Sequence, residues 1–183
     1  RRAAVPAAIW RPQCCEARPT VPGPAGRVRQ VHARAAGGPS VEEPTTLITE
    51  VALPGVEPAD VLSLLATASS WPSIVLSSVG VSGQTSRILA PGDVVVEEFG
   101  LPPLWMPSVR WVCREADLGR GVLDVRSPEG AAGLAEDCRM LFLAKPAGGG
   151  TRLRLEMSYR PVSPLAGLAR PFLEADNLLA LRL

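Results

Sequence analysis

From residue 148 to 161 the chain reads GGGTRLRLEMSYRP, and apolar and polar positions alternate almost without error. Leu153, Leu155, Met157 and Tyr159 fall on one side; Arg152, Arg154, Glu156, Ser158 and Arg160 fall on the other. A period of two predicts a β-strand with one dry face and one wet face. The same alternation recurs upstream. PSVRWVCREA puts Val109, Trp111 and Cys113 against Arg110, Val112 and Arg114, and GVLDVRS puts Leu123 and Val125 on a dry side. TTLITEVALPG (45–55), VLSSVGVSG (75–83) and VVVEEFG (94–100) read as further strands bounded by turn residues. EDCRMLFLAKP is apolar on both faces around Met140–Ala144, the pattern of a central or doubly covered strand.

Two stretches break the period. EPADVLSLLATASSWPSI opens with Pro58 at a helix start, where its missing N–H costs nothing, and Val61, Leu62, Leu64 and Leu65 supply an apolar helical face. Trp71-Pro72 is expected to end that helix, because a residue before proline is driven out of the α region. After Pro164 the spacing of Leu165, Leu168, Phe172, Leu173, Leu179 and Leu183 predicts a terminal apolar helix, kinked or restarted at Pro171. The order is one strand, a helical pair, about six strands and a last helix, the only long cover available for a sheet with one dry face. The expected fold class is α+β, with an antiparallel sheet of about seven strands. No internal repeat is visible, and no linker divides the chain after residue 45.

Charge separates the first forty residues from the rest. Of 19 basic and 18 acidic residues, seven arginines and one acid (Glu16) fall within 1–38, leaving 12 basic and 17 acidic in the body. The leader is therefore about +6 and the body about −5 by formal counting. An Arg-rich, acid-poor leader suits an organellar transit peptide, and the alternative is a disordered tail. The expected division is a leader over 1–40 and one domain over 41–183. The chain opens on Arg1 rather than Met, so further residues are expected before it. A mildly acidic body lacks the basic footprint of a nucleic-acid binder. No segment has the run of about 18 apolar residues that a membrane-spanning helix needs.

The chemistry is mostly negative. His32, the sole histidine, lies in the leader, so a body released from it has no His-based triad, dyad or metal site. The cysteines Cys14, Cys15, Cys113 and Cys138 show no CxxC spacing, and an inward Cys113 reads as a packed thiol. No phosphate-cradling glycine motif occurs. Neither a cofactor, a metal site nor a catalytic residue is assigned. Glu97 and Glu98 are adjacent on one strand, so one of them faces inward, with the mouth of the fold and pairing to Arg110 or Arg126 as its expected place. Glu136-Asp137 is read as rim or turn.

The order and spacing of VALPGVEPADVLSLLATASSWPSI, RWVCREADLGRGVLDVRS, GGGTRLRLEMSYRP and SPLAGLARPFL resemble the polyketide cyclase/dehydrase and lipid-transport group of START-related (SRPBCC) proteins, over residues 45–183. The resemblance implies a helix-grip fold: a curved antiparallel sheet wrapped around a long C-terminal helix, with a hydrophobic cavity between them. With the leader, it implies an organellar member, in the chloroplast or, alternatively, the mitochondrion. The expected function is binding, transport or delivery of a lipid, isoprenoid, pigment or quinone. The residues expected to touch such a ligand are Phe99, Trp111, Leu123, Met140, Phe142, Met157, Tyr159, Leu168 and Phe172, with Tyr159 supplying an orienting hydroxyl. A cyclase or dehydratase using an inward carboxylate is the second reading, and a protein-interaction adaptor the third. The expected partner is a hydrophobic small molecule and not a nucleic acid, with peripheral membrane contact and any protein partner left open.

Overall fold

A computed structural model describes residues 44–163, apart from 76, 101–106 and 132. The elements run β1 (Thr45–Pro54), α1 (Pro58–Leu65), a 3-10 turn (Ala68–Ser70), α2 (Trp71–Ile74), β2 (Ser78–Gly83), β3 (Val94–Phe99), β4 (Ser108–Asp117), β5 (Val122–Ser127), β6 (Ala135–Ala147) and β7 (Gly150–Pro161). The seven strands form one antiparallel sheet in the order β1-β7-β6-β5-β4-β3-β2. Strands β2 to β7 are a meander, whereas β1 leaves its neighbour in sequence and pairs with β7 at the far edge.

Register decides which side chains meet. Leu47, Met157, Met140, Val125 and Cys113 stand in one row across β1, β7, β6, β5 and β4. Thr49, Leu155, Phe142 and Leu123 form the next row. Both rows lie on the inner face, where α1 packs with Val61, Leu62 and Leu65 buried against β5, β6 and β7. The strand arginines and most of the strand acids occupy the outer face, so the alternation read from the sequence is largely the division between core and solvent. Arg126 and Arg139 stand opposite each other there and both grip Asp124, while Arg154 reaches Glu50 and Glu156.

The helical pair departs from expectation in one respect. Trp71-Pro72 does not close a single long helix; α1 stops at Leu65, and Trp71 opens α2 with Pro72 in its first turn. A first-turn proline forfeits no helical hydrogen bond, so the Trp-Pro step can start a helix as readily as end one. The break is held by side chains. Thr67 Oγ1 donates to the Ser63 carbonyl at 2.8 Å, and the Trp71 indole N–H donates to the Leu65 carbonyl at 2.8 Å. The last-helix residues Leu168, Phe172 and Leu179, and Trp105 before β4, lie outside the described residues.

Candidate functional site

The inner face of the sheet is the candidate site, and seven of the predicted ligand-contacting residues fall on it. Trp111, Leu123, Phe142 and Tyr159 are buried, whereas Phe99, Met140 and Met157 keep part of their surface accessible while packing against the core. Two of these three sit together. Met140 and Met157 are directly paired across β6 and β7, with buried Phe142 and Leu155 in the next row. Two unbranched, polarizable side chains side by side make a surface that adapts to the shape of what it meets. Leu168 and Phe172 lie outside the described residues.

A carboxylate sits on this face. Inward positions on β3 are Val95 and Glu97, and Val95 pairs with Trp111 while Glu97 pairs with Val109. Trp111 therefore stands diagonally across from Glu97 on the same face, and its indole N–H donates to Glu97 Oε2 at 2.8 Å. Glu97 is 6% exposed. The expected fate of this acid is thus corrected: it lies in the interior, bonded to an indole, and is not at a solvated mouth with Arg110 or Arg126. Arg110 pairs with Val96 and so projects from the opposite face, and Arg126 is engaged by Asp124. Burying a carboxylate is costly without hydrogen-bond donors, which is why the indole N–H is turned toward it. Glu98 is exposed.

A second polar group was not singled out from sequence. Ser78 opens β2 opposite Phe99, is 6% exposed, and its Oγ has no hydrogen-bond partner among the described residues. Only the β2–β3 register, with its irregularity between Ser78 and Gly80, brings Ser78 beside the strand that carries Glu97. Nothing in the alternation of VLSSVGVSG distinguishes it from Ser77 or Ser82.

The remaining candidates for chemistry are quiet. Burial pushes the Cys113 thiol up to about 11, with the charges of Asp93 and Asp124 adding to it. Burial likewise pushes Cys138 up to about 11, with Asp137 adding to it. Cys113 is a packed thiol, as its strand position predicts. Glu136 and Asp137 are held at the rim by Arg160 at 2.9 and 3.0 Å. Among the described residues no cluster of His, Cys, Asp and Glu has the makings of a metal site, and no helix is long and apolar enough to cross a membrane.

Solved structures share this architecture. Ara h 8.0201 aligns with a TM-score of 0.59 at 13% identity, covering 75% of this chain and 93% of its own. Norcoclaurine synthase from Thalictrum flavum aligns at 0.58 and 12% identity, covering 78% and 91%. The Zhui aromatase/cyclase from Streptomyces aligns at 0.57 and 17% identity, covering 75% and 87%. The fold is the Bet v 1-like helix-grip fold. No protein-family model and no curated protein sequence matches the chain. At these identities the helix-grip likeness establishes the architecture of the sheet and its opening helices, and function rests on the site itself.

Proposed function

We propose that the inner face of this helix-grip sheet binds a small hydrophobic molecule. The observation that carries the reading is the Met140–Met157 pair: two large apolar side chains, opposed across adjacent strands, that keep accessible surface on the face that elsewhere forms the core. Apolar walls with few polar groups are the general make-up of small-molecule sites. Lipid, isoprenoid, pigment and quinone ligands all fit that description. Titration with the neutral fluorophore N-phenyl-1-naphthylamine tests it, together with organic extraction of protein purified from its own organelle. Saturable binding weakened by Met157→Ala supports the reading; an empty protein that takes up no probe overturns it.

The buried position of Glu97 favours a second reading, a cyclase- or dehydratase-type enzyme with Glu97 as acid or base and Tyr159 as a supporting hydroxyl. Two fold neighbours are enzymes by name, the aromatase/cyclase and norcoclaurine synthase. Under this reading Glu97→Gln abolishes turnover of a bound substrate while leaving its affinity within a few-fold. The composition of residues 1–38 supports delivery to an organelle, the chloroplast ahead of the mitochondrion, which a fluorescent fusion of that segment tests.

A further inference from the structure

The two edges of the sheet differ in how they are guarded. β2 is six residues long, carries Gly80 and Gly83, and is broken by the irregularity between Ser78 and Gly80. Short, bulged strands make poor templates for another chain. β1 is the opposite case. It runs ten residues, TTLITEVALP, in unbroken register with β7, and it has no Lys, no Arg and no bulge. Its one charge, Glu50, is drawn to Arg154 on β7 at 3.2 Å. Its other side pairs with no strand among the described residues.

Parity fixes what that side offers. Gly55, opposite Gly149 in the continued register, donates its N–H to the Gly149 carbonyl at 3.1 Å. The Leu53 carbonyl oxygen also points to β7, close enough to overlap a Cβ placed on Gly150. Hydrogen-bonded pairs alternate along an antiparallel ladder, so the odd-numbered residues of β1 bond to β7 and the N–H and C=O of Thr46, Ile48, Glu50 and Ala52 face outward. Pro44 and Pro54 share that outward parity, so the N–H that each lacks is one that β7 does not use. The open stretch therefore has a proline at each end.

We propose that this stretch pairs with itself in a second copy of the chain, antiparallel about Thr49, joining two sheets into one. In that register Thr46 meets Ala52 of the second copy and Ile48 meets its Glu50, each twice by symmetry, so all four outward-facing residues exchange both hydrogen bonds. The prolines meet at the two ends and stop the ladder. A shift of two residues one way sets Glu50 against Glu50 and Thr46 against Pro54; a shift the other way leaves Ala52 opposite Pro44. Like charges directly opposite destabilise a strand pair, and a proline forfeits a ladder bond. The segment thus matches itself in one register with no charge conflict, which is the self-complementarity that a two-fold interface requires and that a different partner does not. The proposal is independent of what the inner face holds.

The test is sedimentation velocity of the full chain over a range of micromolar concentrations, on wild type and two double variants. Thr46 and Ala52 are exposed, so substitutions there spare the fold. Thr46→Lys with Ala52→Glu sets opposite charges across both outer pairs and should keep the dimer. Thr46→Glu with Ala52→Glu sets like charges there and should weaken it by at least about tenfold relative to the first variant. Ala52→Glu is common to both, so whatever it makes with Arg152 of its own copy cancels. Hydrogen exchange should show the amides of Thr46, Ile48, Glu50 and Ala52 protected in the dimer and open on dilution. A chain that stays monomeric throughout overturns the proposal, and so does a dimer equally strong in both variants. Protection of those four amides in a monomer shows that residues outside 44–163 fill the edge, and overturns it as well.

Discussion

Asp124 receives both donor nitrogens of one side of Arg139, Nε to Oδ1 at 3.1 Å and Nη2 to Oδ2 at 2.9 Å. Arg126 adds a second fork at 3.3 and 3.1 Å. Burial alone would raise the Asp124 carboxyl, but these hydrogen bonds and the two positive charges outweigh it and hold the group below the ordinary aspartate range. A depressed folded-state pKa adds stability that is complete above the unfolded value of about 3.9 and is lost as pH falls through the folded one. Asp124→Asn should cost about 1–3 kcal/mol at pH 7, since both arginines can still reach water. Denaturant titrations of wild type and variant should show that gap steady down to about pH 5 and closing below about pH 4.

Cys113 and Cys138, both pushed up to about 11, are protonated thiols at any ordinary working pH. Since the thiolate is the reactive species, iodoacetamide at mildly alkaline pH should leave both unlabelled in the native protein. Denaturation should make them react at the rate of free cysteine. Peptide mass spectrometry resolves the two sites from Cys14 and Cys15.

Phe142 and Met157 lie in adjacent rows of the same face but differ in what surrounds them. Phe142 is 9% exposed and paired with Leu123 and Leu155, so Phe142→Ala should cost about 3–5 kcal/mol as a filled-core truncation. Met157 is half-buried, and Met157→Ala should cost less, about 1–2 kcal/mol, in proportion to the smaller area it covers. Probe affinity should move in the opposite order, with Met157→Ala the more damaging. Equilibrium unfolding and probe titration on both variants separate packing from lining.

Gly121 turns the chain between β4 and β5 at φ +73°, and a Cβ there would overlap the Ala144 carbonyl oxygen. The approach is needed because the Ala144 N–H donates to the Gly121 carbonyl at 2.9 Å, locking the turn to β6. Gly121→Ala should cost about 1–3 kcal/mol through the backbone conformation alone, and the overlap adds to that. A lowered Tm with normal far-UV circular dichroism is the expected signature.

Most strands were legible because they have one wet side: Arg152, Arg154 and Arg160 against Leu153, Leu155 and Tyr159 define a period that no helix shares. Strand order was not, since nothing local in TTLITEVALP says that it pairs with residues 150–161 and not with 78–83. The boundary at Trp71 was misread because proline's effect depends on whether the helix lies before or after it, and the Trp71–Leu65 hydrogen bond that settles the matter is a tertiary contact. Parity requires that one of Glu97 and Glu98 face inward, but neither which of the two nor its partner was legible. An acid near arginines in sequence reads as an ion pair, and only the β3–β4 register shows that Arg110 is on the other face. Ser78 carried no signal at all, because an unpartnered hydroxyl is a property of its surroundings.

The pairing of β1 with β7 has a consequence for how the molecule is made. Glu50 and Arg154, which meet across that seam, are 104 residues apart in the chain. As the polypeptide emerges from the ribosome, strands β2 to β7 can zip up neighbour by neighbour at low loop-closure cost. The first strand to appear is among the last to be placed. Until β7 is out, Leu47, Thr49 and Leu53 have no sheet to join, and their exposed edge is open to binding by chaperones or by another nascent chain. The seam that completes the inner face of the sheet therefore closes only after β7 has been made, late in the assembly of the sheet.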